Sequence, residues 1–281
     1  MDLVINYQNF YEKRIRDLGT FKYELRSIEK YADIFDKIFL IYDGDDEMLP
    51  DWLNRNSVTL VKHSEFVDAD ILPTFNQHTI ECYMHKIPEL SEQFVYIKED
   101  TFFIKTNTKE DYFVENKSVM NLLDKPEYDD EKLLECESFF SELTRYLSYR
   151  RGIPDEEIPI YIPEKVASPM FKALNEKILG KYEKRLRKGN DLIEKDCDFC
   201  YEMYLTGEFH AGLTIEGNNK KLIDLKNISQ NELTDILNNT DAKVIYTNEK
   251  RIDNEEQFNM CKNTIINFLS SKFTDKSRFE K

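Results

Sequence analysis

Phe94-Val95-Tyr96-Ile97-Lys98-Glu99-Asp100 sets the fold: four apolar residues of strand type run straight into three charged ones. Aromatic and β-branched side chains suit a pleated, buried surface, so Phe94 to Ile97 reads as a buried strand whose carboxyl end is marked by charge. The same character recurs in Asp2-Leu3-Val4-Ile5-Asn6-Tyr7, in Lys37-Ile38-Phe39-Leu40-Ile41-Tyr42 and in Ser57-Val58-Thr59-Leu60-Val61. Between these runs Phe21, Leu25, Ile28 and Ala32 recur at helix spacing, as do Phe75, Thr79, Ile80 and Met84. Strands separated by helices of this length predict an α/β fold: a mostly parallel twisted sheet flanked by helices on both faces.

From Tyr112 to Pro159 the pattern changes. An acidic helical piece, Asp129 to Tyr149, is closed by Arg150-Arg151-Gly152-Ile153-Pro154, and glycine and proline there mark a boundary. The chain therefore divides into 1–111, a first part of the α/β domain; 112–160, a helical, acidic insertion or lid, with a plain helical spacer as the alternative; and 161–281, the second part. In that last part Pro169 to Leu186 and Asp191 to Leu205 read as helices, each followed by a glycine stop at Gly189 and Gly207. Ser229-Gln230-Asn231-Glu232 is a capping box. Lys243 to Tyr246 is a strand ending on Thr247-Asn248-Glu249, and an amphipathic helix runs through Phe268 and Leu269.

With 281 residues and 41% hydrophobic content the chain can bury a full core. No apolar run is long enough for a membrane helix and no secretory leader is read, so a cytoplasmic protein is expected. Five scattered cysteines do not make a disulfide framework, and Cys197-x-x-Cys200 lacks the second pair a zinc site needs. A formal net charge of −15 repels nucleic acid, so no nucleic-acid partner is expected. An anionic small substrate would need a local positive site or a divalent metal to enter such a field.

In open α/β sheets ligands bind beyond the carboxyl ends of the strands. Asp43, the pair Glu99-Asp100 and the pair Asn248-Glu249 all fall at such ends. Oxygen ligands there suit magnesium or manganese, which bridge phosphate oxygens, so Glu99, Asp100 and Glu249 are the candidate metal ligands. The plainer reading of any one acidic pair is a solvated turn. Arg14, Arg16 and Arg26 precede or lie in the first helix, where the arginine fork could grip phosphate, although an arginine on an amphipathic helix usually just faces water. His78 and Glu81 share a helix face with Asn76 near its amino end, an arrangement able to hold an anion or position an attacking hydroxyl. Lys181, Lys184, Arg185, Arg187 and Lys188 form a basic patch that also fits a dipole-stabilised helix end.

Taken in order, Arg14-Ile15-Arg16-Asp17-x-Gly19, Tyr23-x-Leu25-Arg26-Ser27-Ile28-Glu29-Lys30-Tyr31-Ala32, Asp51-Trp52-Leu53-Asn54, Leu72-Pro73-Thr74-Phe75-Asn76-x-His78-x-Ile80-Glu81 and the strand with its Lys98-Glu99-Asp100 end resemble the second conserved block of the Stealth family. That family comprises phosphotransferases building hexose-1-phosphate capsule polymers in bacteria, together with the enzyme that tags lysosomal glycoproteins with N-acetylglucosamine-1-phosphate. The resemblance implies a nucleotide-sugar-transferase-like fold and transfer of a sugar-1-phosphate from a nucleotide-sugar donor to a glycan hydroxyl, lipid-linked acceptors included, with magnesium or manganese as cofactor. It also implies work beside capsule-assembly enzymes, at the inner face of the membrane. By that resemblance Asp17, His78, Glu81 and Asp100 are the candidate catalytic residues, and Arg14, Arg16, Arg26, Asn76, Arg187 and Asn248 the candidate substrate contacts. Arg185-Leu186-Arg187-x-x-x-Asp191 is similar to an element of the third block, and Tyr246-Thr247-Asn248-Glu249 to the last.

Three positions depart from the pattern. Lys98-Glu99-Asp100 stands where the family has Asn-Asp-Asp, Asn6-Tyr7-Gln8-Asn9-Phe10 lacks an aspartate-glycine element, and Tyr161-Ile162-Pro163 replaces a His-x-Pro. The departures leave open a chemistry redistributed onto His78 or His210, or a non-catalytic member that binds a nucleotide-sugar or a partner. A glycosyltransferase releasing nucleoside diphosphate is the other alternative.

Overall fold

A computed structural model describes residues 1–7, 17–74, 77–123, 162–163, 166–177, 179–180, 214–249, 252 and 254–281, with backbone alone at 77–78, 122–123, 162–163 and 214. The first four strands are β1 (Asp2–Tyr7), β2 (Ile38–Tyr42), β3 (Thr59–Lys62) and β4 (Gln93–Lys98). Then come β5 (Thr101–Phe103), β6 (Phe113–Val114), β7 (Lys117–Leu123) and β8 (Ile162–Pro163), followed by β9 (Ser168–Phe171), β10 (Thr214–Gly217), β11 (Lys220–Asp224) and β12 (Val244–Asn248). The helices that matter here are α1 (Phe21–Tyr31), α2 (Gln77–Tyr83), α3 (Gln230–Asn239) and α4 (Glu255–Lys272).

The main sheet has the order β3-β2-β1-β4-β9, with β1 to β4 mutually parallel and β9 pairing antiparallel with β4 at the edge. The chain steps outward from β1 to β3 and then returns to the other side of β1 as β4. The carboxyl ends of β1 and β4 therefore form a switch point, where the crevice of an open α/β sheet lies. Strand alternation sends side chains to two cores. Leu3, Ile5, Leu40, Val95 and Ile97 pack with Phe21, Leu25 and Ile28 of α1 on one face. Val4, Ile41, Phe94 and Tyr96 pack with Ile80 and Tyr83 of α2 on the other. A smaller sheet, β11-β12-β5, carries α3 and α4 over a third core built from Phe102, Ile245, Leu233, Cys261 and Ile265.

Ser229 caps α3 as its pattern predicts, its hydroxyl accepting from the Glu232 amide at 3.2 Å. Two stretches differ from the helical reading. Residues 113–114 and 117–123 are strands, and Pro169 to Phe171, expected to open a helix, are the edge strand β9. Short apolar runs carry no period of their own, so sheet pairing decides them. The remainder of the expected insertion, and the expected helix at Asp191 to Leu205, lie outside the described residues.

Asp51-Trp52-Leu53-Asn54 docks the C-terminal tail. The Trp52 carbonyl accepts from the Lys281 amide at 2.8 Å, the Asn54 amide donates to the Phe279 carbonyl at 2.8 Å, and Phe279 is fully buried.

His63, just after β3, is 5% exposed and lies edge-on to Phe66. Among the described residues neither ring nitrogen has a hydrogen-bond partner. Burial pushes its imidazole from 6.5 down to about 4, with the Asp43 charge opposing. Because the folded pKa is the lower one, the unfolded chain binds more protons between pH 6.5 and 4. Stability is therefore lost as pH falls through that window, by up to about 3 kcal/mol. Urea unfolding at pH 7 and pH 5 should show a smaller loss in His63→Phe than in the parent chain; equal losses would refute the assignment.

Candidate active site at the carboxyl ends of β1 and β4

The turn that leaves β4 puts Asp100 at φ +66°, a left-handed conformation that a non-glycine residue rarely adopts. Both sides of the molecule hold it there. From α1, the Glu24 carboxylate accepts the Asp100 amide at 3.0 Å and the Thr101 amide as well. From the small sheet, the Thr247 amide donates to the Asp100 carbonyl at 3.0 Å. The Thr20 hydroxyl, at the N-terminus of α1, donates to Asp100 Oδ1. Strain that is this heavily determined by its surroundings is characteristic of functional turns.

The charges around this turn are of one sign. Loss of water pushes the Asp100 carboxyl from 3.8 up to about 8, and the Glu249 and Asp17 charges push the same way, against the Thr20 hydroxyl and Lys262. Glu24 is fully buried, and its carboxyl is driven well above its ordinary range, first by burial and then by Asp100. The Tyr7 phenol, closing β1, is raised by burial, by Glu99 and by Asp17; the Tyr246 phenol of β12 is raised by burial, by Glu249, by Asp100 and by Glu99. Asp17, Glu99, Asp100 and Glu249 thus converge on the switch point from three segments, a field that attracts a cation and disfavours a bare anion.

Asp17 is placed by its own loop. Its Oδ1 accepts the Gly19 amide at 2.5 Å and its carbonyl accepts Lys262 Nζ of α4 at 2.9 Å. Gly19 has φ +73°, which its missing Cβ permits. Asn248 ends β12, its carbonyl accepting from the Leu225 amide at 3.1 Å, and Glu249 follows it, buried.

Glu81 lies apart from this group, on α2 across the sheet. It is 3% exposed, and Lys98 Nζ lies 3.8 Å from its Oε1. His78 is on the same short helix, one turn earlier, and its side chain is outside the described residues, as are Arg14, Arg16, Asn76, Arg187, His210 and the Cys197-x-x-Cys200 pair. Asp43 is exposed and accepts from the Gly44 amide at 2.9 Å.

Arg26, a candidate substrate contact, is bound to the C-terminal tail. Its Nε and Nη2 grip Glu280 Oε1 and Oε2, each at 2.7 Å, and Nη1 donates to the Phe273 carbonyl at 2.9 Å. This fork, filled by a carboxylate, clamps the C-terminal tail to α1.

Sequence reasoning passed over Glu24, Thr20 and Lys262. A signal for Glu24 was present: it sits three residues after Phe21 and four before Ile28, on the apolar stripe of α1, where an acid has no place unless it serves a partner. Nothing local marks Lys262, whose partner is 245 residues away.

The acidic groups of this α/β sheet are gathered at the switch point, the place where open sheets of this kind bind ligands. Residues 14–121 match Stealth protein CR2, conserved region 2, and the chain belongs to the Stealth family. It is 31% identical over 221 residues to the capsular polysaccharide phosphotransferase fcs1 of Haemophilus influenzae, covering 73% of this chain and 60% of that protein. To the capsular polysaccharide phosphotransferase cps12A of Actinobacillus pleuropneumoniae it is 31% identical over 206 residues, 69% of this chain and 55% of that protein. The chain thus spans little more than half the length of these relatives. Among solved structures, the galactosyltransferase LgtC in complex with donor and acceptor sugar analogs matches with TM-score 0.49 and 8% identity, over 94% of this chain and 96% of that one.

Proposed function

We propose that this chain is a sugar-1-phosphate transferase, moving hexose-1-phosphate or N-acetylhexosamine-1-phosphate from a nucleotide-sugar to a glycan hydroxyl in capsule or exopolysaccharide synthesis. The single observation that carries the reading is the strained Asp100 turn, held from two elements at the switch point of a Stealth-family fold. The acceptor oxygen attacks the phosphorus next to the sugar, the phosphoanhydride bond breaks, and nucleoside monophosphate leaves with the electron pair. His78, one turn before Glu81 on α2, is the candidate to take the hydroxyl proton. Asp17, on the loop after β1, and Asn248, at the end of β12, are the further candidates to meet the substrate.

The donor set suits magnesium or manganese. Among the described residues no three His, Cys, Asp or Glu side chains gather at metal-holding separation, so a closed protein cage is absent there. Magnesium typically takes one or two carboxylates and completes its shell with waters and substrate phosphates. Asp100 and Glu249, which repel one another when bare, fit that part, with Glu99 adjacent. Bound there, the metal would neutralise charge on the diphosphate.

Among the described residues no helix is long and apolar enough to cross a membrane. The proposed place of work is the cytoplasm, at the inner membrane face when the acceptor is lipid-linked.

The test is chromatography of nucleotide products after incubation with magnesium, a panel of nucleotide-sugars and short glycan acceptors. Acceptor-dependent monophosphate supports phosphotransfer, and diphosphate would show glycosyl transfer instead. Chelation with EDTA should abolish product and added magnesium or manganese restore it; a chelated protein working at its full rate would refute the metal assignment.

A further inference from the structure

We propose that the start of α1 is the positioning device of the metal site: Glu24 holds the Asp100 backbone in its left-handed turn, and Thr20 sets the direction of the Asp100 carboxylate. Both residues act through Asp100, which the metal-dependent reading above places at the metal, and the assignment rests on that reading.

Each residue breaks a rule of its own helix. Thr20 is the N-cap of α1, where a threonine hydroxyl ordinarily accepts one of the first helical amides. Here the buried Thr20 side chain makes no cap bond and donates to Asp100 Oδ1 instead. Glu24 stands on the apolar stripe, fully buried, and among the described residues its Oε1 has no hydrogen-bond partner. A carboxyl stripped of water in this way costs stability. Two local rules are broken within five residues, both in favour of the same aspartate, which is the mark of a functional constraint.

The bonds divide the work between them. Glu24 Oε2 accepts the Asp100 amide at 3.0 Å, and the Thr247 amide donates to the Asp100 carbonyl at 3.0 Å. The peptide groups on both sides of the Asp100 Cα are thereby held, which keeps its φ at +66°. Thr20 holds what the backbone leaves free, the rotation of the side chain. A ligating carboxylate that is itself hydrogen-bonded presents its oxygens to a metal in one orientation. Three residues beyond Glu24, Ser27 Oγ accepts the Phe103 amide at 3.0 Å, so α1 also closes the outer edge of β5. That bond is of the same kind and on the same helix, but it serves the strand and not Asp100, which makes Ser27 the control.

The experiment is titration of the full chain with manganese chloride, free manganese being read by electron paramagnetic resonance, alongside thermal melting. Thr20→Val keeps the side-chain shape and should weaken manganese binding on the order of 10–100-fold with little change in melting. Glu24→Leu should weaken it as much and also melt lower, because the Asp100 amide loses its acceptor. Thr20→Ser and Glu24→Gln, which keep a hydroxyl and an acceptor oxygen, should bind manganese as the parent does. Ser27→Ala should melt lower and keep the parent's manganese affinity. Unchanged affinity in folded Thr20→Val or Glu24→Leu overturns the proposal. So does a loss in Ser27→Ala equal to that in Glu24→Leu, or no manganese binding by the parent chain. The two readings fail separately. Manganese binding that depends on Thr20, in a chain that forms no nucleoside monophosphate, would refute phosphotransfer alone; monophosphate formed by Thr20→Val at the parent's half-saturating manganese would refute the positioning role alone.

Discussion

Asp100→Asn will lower acceptor-dependent nucleotide monophosphate formation by on the order of 10²–10³-fold, and the protein will fold as well as before. Asparagine keeps the shape and an oxygen for the Thr20 hydroxyl, and leaves the backbone bonds to Glu24 and Thr247 in place. It removes the negative charge that the proposed metal requires, and with the metal the means of neutralising the diphosphate. It also removes a carboxyl that loss of water and Glu249 already push up to about 8, so the melting temperature should be unchanged or higher. Losing activity while keeping stability separates a residue retained for chemistry from one retained for packing. A variant that lost both in proportion would place Asp100 among the structural residues, and one that kept its rate would remove it from the reaction.

The opposite signature is expected at Arg26. Arg26→Ala strands Glu280, whose side chain is 7% exposed, without its bidentate partner, and removes the bond to the Phe273 carbonyl. Breaking a largely buried ion pair in this one-sided way costs about 3 kcal/mol. Urea denaturation should show that loss, and limited proteolysis should cut the tail beyond Phe273 sooner, while kcat per folded molecule holds. The pH dependence has a definite sign. The Arg26 bond holds the Glu280 carboxyl down to about 2 from 4.5, so the clamp contributes above 4.5 and is lost as pH falls toward 2. Unchanged stability with a raised KM for the nucleotide-sugar would return Arg26 to the substrate contacts.

These two residues show where sequence reasoning reached and where it stopped. Asp100 was legible because the end of a buried strand is a local event: apolar residues stop, charge begins, and the sheet's handedness puts that end at the crevice. The tail contact of Arg26 was not legible because its partner lies 254 residues away, and an arginine on a helix looks the same facing water, phosphate or a distant glutamate. Glu24 was passed over for the same reason, since its bond to the Asp100 amide spans 76 residues.

By itself the sequence determined that Asp2 to Tyr7, Lys37 to Tyr42 and Phe94 to Ile97 hold buried strands of a parallel sheet, that α1 presents Phe21, Leu25 and Ile28 to it, and that charged groups follow the strands. Residue periodicity and hydrophobicity act over a few positions, and those features need nothing longer. Only the tertiary structure decided that Pro169 to Phe171 pair as a strand, that Arg26 serves the tail, and that α1, β4 and β12 converge to hold Asp100 in a left-handed turn. Hydrogen bonds and charge interactions depend on distance in space, and in this chain the distances that matter close only when segments far apart in sequence pack together.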